Sequence, residues 1–319
     1  MPRALLGAAF VSWVAAGAWW LAAAAWWAAA PAWGGGALAV VASSTDLKAL
    51  VEEVGGDRVS VEALAPPGQD PHAIEVKPGQ VARLKAARLL VRVGLDHEPW
   101  LTRLLRAANE PRFAPGGPDA LDCSRGIDLL QTETSRVRPE RGEHVHGFGN
   151  THYWLDPENA RPITAAILEA LARLEPGARG DFERRRAAFL GRLDAGLARW
   201  TRALAPYRGA KVVVVHESWP YFARRFGLQI VAAVESTPGV PPSAAYLASL
   251  TRQMAAAQVR ILISEPSSNA SVVAQVAARS GARAVELVPS VGGAPEARDY
   301  LTLFDWNVSR LAEALRPPR

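Results

Sequence analysis

The chain has 319 residues, 49% of them apolar, and a formal net charge of +5, which is length enough for two domains with cores of their own. Its basic balance comes from arginines scattered through an alanine-rich sequence, with no dense basic block interleaved with aromatics, so it reads as a solvated surface and not as a nucleic-acid interface. The single cysteine, Cys123, excludes an intramolecular disulfide and every cysteine-built zinc cluster.

Residues 1–36 differ from the rest. Arg3 gives a short basic start, residues 4–30 run without a charge, and six of the eleven tryptophans fall at or before Trp33. Ala28, Ala30 and Ala32 offer small residues to a signal peptidase, and three glycines follow. A cleaved export signal is the expectation; the apolar run is also long enough to remain as an uncleaved anchor. No cysteine stands here to carry a lipid. Either way the body of the chain is expected outside the cytoplasm, in a periplasm.

Residues 37–156 read as a first lobe. Residues 38–44 form a buried apolar strand, and 46–54 the helix after it, stopped by Gly55 and Gly56. A strand at 59–64 meets Pro66, Pro67 and Gly68, which break the chain and deliver Asp70, Pro71 and His72 in a loop. A helix at 78–84, a strand at 89–93 and a helix at 98–107 follow. Strands alternating with helices imply a mostly parallel sheet with flanking helices, whose ligands bind beyond the carboxyl ends of the strands. Residues 111–117 and 142–150 read as loops.

Residues 157–208 connect. Asp156 suits a helix N-cap and Pro157 a first helical position, with Ile163, Ile167, Leu171 and Leu174 along one face. A longer helix over 181–205 keeps Phe182, Phe189, Leu193, Trp200 and Leu204 at helical spacing, and it acts as a strut between two halves. Residues 209–319 repeat the strand-then-helix rhythm: strands at 211–215, 228–234, 261–264 and 284–287, helices at 221–226, 243–257, 270–280 and 299–315. The expected fold is α/β, with two similar lobes joined by a long helix.

Three histidines stand at the ends of such units: His72, His152 in the segment NTHYWLDP, and His216 after an almost pure valine strand. Neutral imidazoles on loops bind divalent metals, and three that converge make most of a tetrahedral zinc shell. The other three read differently. His97, in GLDHEPWL, is expected at the surface with no role in binding. His144 and His146 are expected on a solvated loop, with a metal-capturing appendage as the alternative.

The segments DPHAIEVKPGQVARLKAARLLVRVGLDHEPWL, NTHYWLDPENA, VVVVHESWPYFARRFGLQIVA and ISEPSSNASVVAQVAARSGARAVEL, taken in order, resemble the periplasmic solute-binding proteins that feed zinc or manganese to ABC importers. The resemblance covers nearly the whole chain after the leader. It implies two α/β lobes joined by a rigid backbone helix, metal at the lobe interface, and a permease as partner. It assigns His72 and His152 to the first lobe's share of the site and His216 to the second's. The family commonly supplies an aspartate as fourth ligand after the last strand. Here that stretch is Val288-Pro289-Ser290-Val291-Gly292-Gly293, with no carboxylate. Glu265, Glu217, Asp299 or a water are the candidates, Glu265 first because it ends a strand in the same lobe.

The expected function is capture of a divalent transition metal, zinc ahead of manganese because three imidazoles suit zinc and manganese prefers oxygen donors. The chain is expected to be a monomer and to meet the membrane only through its partner or an uncleaved leader. Two other functions fit the same features: a metal-dependent adhesin of the same fold, and a zinc hydrolase, since three histidines with an open fourth position also describe catalytic zinc. The hydrolase lacks support from any HExxH, GxSxG or phosphate-cradling glycine loop. No enzyme is expected.

Overall fold

A computed structural model describes residues 36–72, 74–132, 149–235 and 241–317. The leader through residue 35, His144 and His146 lie outside the described residues. The described residues form one compact unit.

That unit is built on two four-stranded sheets, both wholly parallel. The first takes β1 (Leu38–Ala42), β2 (Val59–Ala63), β3 (Leu89–Arg92) and β4 (Ala120–Asp122) in the order β2-β1-β3-β4. The second takes β5 (Lys211–Val214), β6 (Gln229–Ala233), β7 (Ile261–Ser264) and β8 (Arg283–Glu286) in the order β6-β5-β7-β8. The two lobes therefore share one topology, as the repeated rhythm in the sequence implied. The central strands carry apolar runs, LAVVA in β1 and Ile261-Leu262-Ile263 in β7, because helices cover both of their faces. In each sheet the chain leaves its first strand outward to one neighbour and then returns to the other side. Such a reversal leaves a crevice at the strands' carboxyl ends.

The helices of the first lobe are α1 (Thr45–Gly55), α2 (Pro78–Ala86) and α3 (Pro99–Ala108). Ser44 caps α1 by accepting from Leu47 N at 3.2 Å, and Gly56, at φ +53°, ends it. The positive φ favours glycine at this turn, and the flexible Arg185 side chain of the long helix lies against it. Strand β4 was not anticipated: three residues, all half-buried, carry no alternation for a periodicity argument to find.

The connecting segment opens differently from the expected single helix. Asp156 caps a 3-10 turn, Pro157–Asn159, before α4 (Ala160–Leu174) begins. Then α5 (Arg179–Leu204) runs for 26 residues, about 39 Å at ~1.5 Å per residue. It packs on α1 and α4 on one side and on α9 (Tyr300–Leu315) on the other. Ion pairs tie it to both: Arg192 to Glu53 of α1, and Arg199 to Asp305 of α9 at 3.2 Å. The Trp200 indole N–H also donates to Asp305 at 2.7 Å. These exposed pairs add little energy, but the buried Phe182, Phe189, Leu193 and Trp200 make α5 part of both lobes' cores. The remaining helices are α6 (Pro220–Phe226), α7 (Ala244–Ala256) and α8 (Ala270–Ser280). Among the described residues no helix is long and apolar enough to cross a membrane.

Polar contacts also bind lobe to lobe directly. The Trp154 indole N–H donates to the Pro289 carbonyl at 2.9 Å, and the Tyr300 hydroxyl to the Trp154 carbonyl at 2.6 Å. Asp156, almost wholly buried, is held by Arg225 of α6 through bonds of 2.6 and 3.0 Å. Asp46, in the first turn of α1, accepts from Val291 N at 2.9 Å across the interface.

Asp46 is fully buried, and its Oδ2 has no hydrogen-bond partner among the described residues. Burial pushes its pKa from 3.8 up to about 7, against the opposing pull of hydrogen bonds from Val291 N–H and the Ser290 side chain. The folded protein thus keeps a proton that the unfolded chain releases. This contribution to stability is full below the ordinary carboxylate range and is lost as pH rises through about 7. Asp46→Asn keeps a neutral acceptor at every pH. Its melting temperature should exceed that of the parent at pH 8 by several degrees, with the gap clearly smaller at pH 5. Thermal melts at the two pH values check this; an equal difference at both would contradict it.

Candidate metal centre

His72, His152 and His216 come together between the lobes. Each offers one ring nitrogen to a group whose members all lie within 4.8 Å of one another. The ring centroids are 5.3 Å apart for His72 and His152, 5.7 Å for His72 and His216, and 5.5 Å for His152 and His216. Separations of 80 and 64 positions in the chain are thus closed by the fold alone (152 − 72 and 216 − 152).

Each ring is oriented by its second nitrogen. His72 follows the break after β2; Asp70 accepts from His72 N at 2.8 Å, and the Trp100 indole N–H holds the Pro71 carbonyl at 2.8 Å. Its Nδ1 lies 3.0 Å from the His97 carbonyl oxygen. A carbonyl only accepts, so Nδ1 carries the hydrogen, and the neutral ring turns an Nε2 lone pair toward the site. His152 caps the 3-10 turn Tyr153–Leu155. Its Nδ1 is 3.3 Å from Asn150 Oδ1. The Asn150 amide is itself fixed, since Nδ2 donates to the Glu217 carbonyl at 2.7 Å, which leaves Oδ1 as the acceptor. His152 therefore also presents Nε2. His216 lies two residues past the end of β5, and its Nδ1 is 3.3 Å from Glu235 Oε2, a carboxylate acceptor.

The distance between His72 Nε2 and His152 Nε2 is 3.4 Å. Two nitrogens about 2.0–2.1 Å from a tetrahedral zinc ion stand about 3.3–3.4 Å apart. Both being acceptors in their neutral form, they repel each other unless a proton or a cation lies between them. The donor set and spacing fit a transition metal.

Beside the histidines is a cavity of about 140 Å³, lined by Asp70, Glu235, Glu265, Ser218 and Ser290 among others. Burial lowers the pKa of His216, but the hydrogen bond to Glu235 and the charges of Glu265, Glu235 and Asp70 outweigh it and leave the pKa above the ordinary 6.5. Burial raises that of Glu265, partly opposed by His216 and by hydrogen bonds from Ser218 and Trp219.

The carboxylates proposed from the sequence separate clearly. Asp299 is occupied as the cap of α9, accepting from Leu301 N at 2.9 Å and Thr302 N at 2.8 Å. Glu217 is exposed and lines a different pocket, beside Gln131 and Arg224. Glu265 lines the interlobe cavity, where its Oε1 accepts from the Trp219 indole at 2.9 Å. None of the three belongs to the group of converging ligand atoms, which among the described residues comprises the histidines alone.

One expectation is overturned. His97 is not at the surface: it is fully buried, its ring centroid 4.5 Å from that of His72 and 5.2 Å from that of His152. Its Nδ1 contacts Thr151 Oγ1 at 2.8 Å. The acids beside it suggested solvent, but Glu98 turns inward, where its carboxylate accepts from Val93 N at 2.7 Å and Gly94 N at 3.1 Å. Glu235 was missed altogether. Adjacent parallel strands bring their carboxyl ends side by side, but only the shifted register of β5 against β6 sets Glu235 beside His216, and the sequence carries no signal of that shift.

A family model described as ZnuA, zinc-uptake complex component A periplasmic, matches residues 40–314. The high-affinity zinc uptake system protein ZnuA of Paracoccus denitrificans (strain Pd 1222) is 29% identical over 297 residues, covering 86% of this chain and 91% of that protein. The manganese ABC transporter substrate-binding lipoprotein PsaA of Streptococcus pneumoniae is 24% identical over 297 residues, covering 87% of this chain and 89% of that protein. The zinc-binding lipoprotein AdcA of Streptococcus pneumoniae serotype 4 is 24% identical over 292 residues; the match covers 87% of this chain and 56% of AdcA. A crystal structure of a zinc-bound ZnuA deletion mutant superposes with a TM-score of 0.74 at 29% identity, covering 89% of this chain and 100% of that one.

The burial of His97 has a measurable consequence. His97→Ala should lower stability by about 2–3 kcal/mol, as large-to-small changes in a packed interior do, where an exposed histidine would shift it by ~0.5 kcal/mol or less. Denaturant unfolding of the metal-free protein checks this.

Proposed function

The chain belongs to the ZnuA family, whose model spans 275 of its residues (40 through 314), and on that premise we propose that it is an extracytoplasmic receptor that captures one zinc ion between its lobes and hands it to the permease of an ABC importer. It is a metal-binding solute-binding protein of a transport family, not a member of an enzyme family. The observation that carries the zinc assignment is the pair of Nε2 atoms of His72 and His152 at 3.4 Å, both turned inward as acceptors, with His216 completing three imidazole donors. An all-nitrogen set favours zinc over manganese, which prefers oxygen. Relatives named for zinc and for manganese share the fold, so the donor atoms and not the architecture carry this choice.

In this reading His72 and His152 serve the site from the first lobe's side of the cleft and His216 from the second's. For the fourth position Glu265 is the protein-derived candidate because it lines the cavity, and a water is the alternative. Export through the leader and a monomeric state complete the proposal; both agree with a receptor that must meet a membrane partner from outside.

Competition titration of the metal-free protein is the direct test. His72→Ala, His152→Ala and His216→Ala should each weaken zinc binding at least a hundredfold and abolish the rise in melting temperature that zinc gives the parent by mass action. Full affinity in His216→Ala would exclude an interlobe site. Manganese binding tighter than zinc would overturn the choice of metal, since the usual affinity order already favours zinc. In Glu265→Ala, a loss as large as that of a histidine variant assigns the fourth position to Glu265, and a change below threefold assigns it to water.

The pH dependence has a definite sign. Protons compete with metal for the imidazoles, and the raised pKa of His216 starts that competition above pH 6.5. Zinc affinity should hold from pH 8 to just above neutrality and then fall steadily to pH 5. Affinity measured in that series and found flat would remove histidines as the principal ligands.

A further inference from the structure

The three histidines differ in what holds their outer nitrogens. His72 leans on a backbone carbonyl and His152 on a neutral amide, whereas His216 leans on the carboxylate of Glu235. We infer that Glu235 is a positioning residue for the third donor: by accepting from His216 Nδ1 it fixes the ring's tautomer and aims Nε2 across the lobe interface. This rests on the metal-capture reading above and deepens it.

The backbone places Glu235 for this task. Strands β5 and β6 pair as Lys211 with Gln229 and Val212 with Ile230, but then Val213 pairs with Ala232 and Val214 with Ala233. One extra residue in β6 at this step slides the rest of the strand forward. The pairing continues past the strand, with Val234 N donating to the Val214 carbonyl at 2.8 Å and Glu235 N to the Val215 carbonyl at 2.9 Å. Carried on from Val214 and Ala233, that register sets Glu235 opposite His216. Without the irregularity it would set the apolar Val234 there. Bulges of this kind re-aim side chains near functional sites.

The chemistry follows from the pair. Neutral imidazole can carry its hydrogen on either nitrogen, and only the form with the hydrogen on Nδ1 can bind a metal through Nε2. A carboxylate acceptor holds the hydrogen on Nδ1 and raises the donor strength of Nε2, and loss of such a partner typically costs ~10–100-fold in metal affinity. His216 gains most from this help, because as the second lobe's contribution its ring must reach across the interface to join the other two.

Two measurements on Glu235→Ala test the inference. Nitrogen-15 imidazole spectra of the metal-free protein at pH 8.5 report the tautomer directly; His216 should carry its hydrogen on Nδ1 in the parent and move toward the Nε2–H form in the variant. Zinc affinity should fall ~10–100-fold. Glu235→Gln retains an acceptor of the same length and should restore the Nδ1–H form and bring affinity to within about tenfold of the parent. If the alanine variant fails to fold, Glu235→Met removes the acceptor at similar length and is read in the same way. A His216 still carrying its hydrogen on Nδ1 when the acceptor is gone, or zinc affinity within threefold of the parent, overturns the inference. His216→Ala separates this from the parent reading: undiminished affinity there defeats the site itself, whereas a large loss there with no loss in Glu235→Ala defeats only the role of Glu235.

Discussion

Two imidazole nitrogens held 3.4 Å apart with their lone pairs facing are an unfavourable arrangement for a protein to maintain. The fold maintains it by committing each ring's other nitrogen elsewhere. The His97 carbonyl, the Asn150 amide and the Glu235 carboxylate each take one Nδ1. Asn150 is further pinned from the second lobe, through the Glu217 carbonyl and the Tyr221 hydroxyl, which donates to the Asn150 carbonyl at 2.7 Å. The repulsion is therefore built into the packing, and a dication placed among the three nitrogens turns it into attraction without moving the rings far. That is preorganisation: the cost of ordering the donors is met during folding and not at capture.

The long helix limits what the lobes can do in response. Because α5 contributes buried side chains to both cores, a wide hinge opening would expose Phe189 and Trp200 along with the helices they pack against. Trp154, inserted between the Pro289 carbonyl and the Tyr300 hydroxyl, closes the same interface nearer the site. Burying a tryptophan and satisfying both its N–H and its carbonyl there makes the interface costly to separate. In the proposed receptor a ligand would be met by small adjustments of loops at strand ends. The segments that carry His72 and His216 are such loops, and His152 sits on the connecting segment that both lobes grip.

Much of this was legible from the sequence, and the reasons differ by element. Apolar runs such as LAVVA and KVVV announce buried parallel strands, and the loops after β2 and β5 announced His72 and His216. The strut was legible because Phe182, Phe189, Leu193, Trp200 and Leu204 keep one helical face over 26 residues. What failed was local. His97 sits between Asp96 and Glu98, and charge nearby suggested solvent, yet Glu98 is drawn inward by two backbone N–H groups that only the folded loop presents. Glu235 was invisible because its neighbour across the sheet depends on a one-residue register shift, which no periodicity within β6 reveals. Strand β4 is too short to have a period at all.

The carboxylates around the site complete the electrostatic argument. Three neutral imidazoles leave a bound dication's charge uncompensated in a partly buried cavity, and such charge is expensive unless something opposes it. Glu265, its pKa raised by burial when no ion is near, meets the opposite environment once a dication stands beside it: the same burial that disfavoured its ionised form then strengthens its attraction to the ion. Glu265 and Glu235 both line the cavity beside the three histidines. In the proposed site the histidines would supply the donors, while the nearby acids would supply counter-charge to a divalent cation.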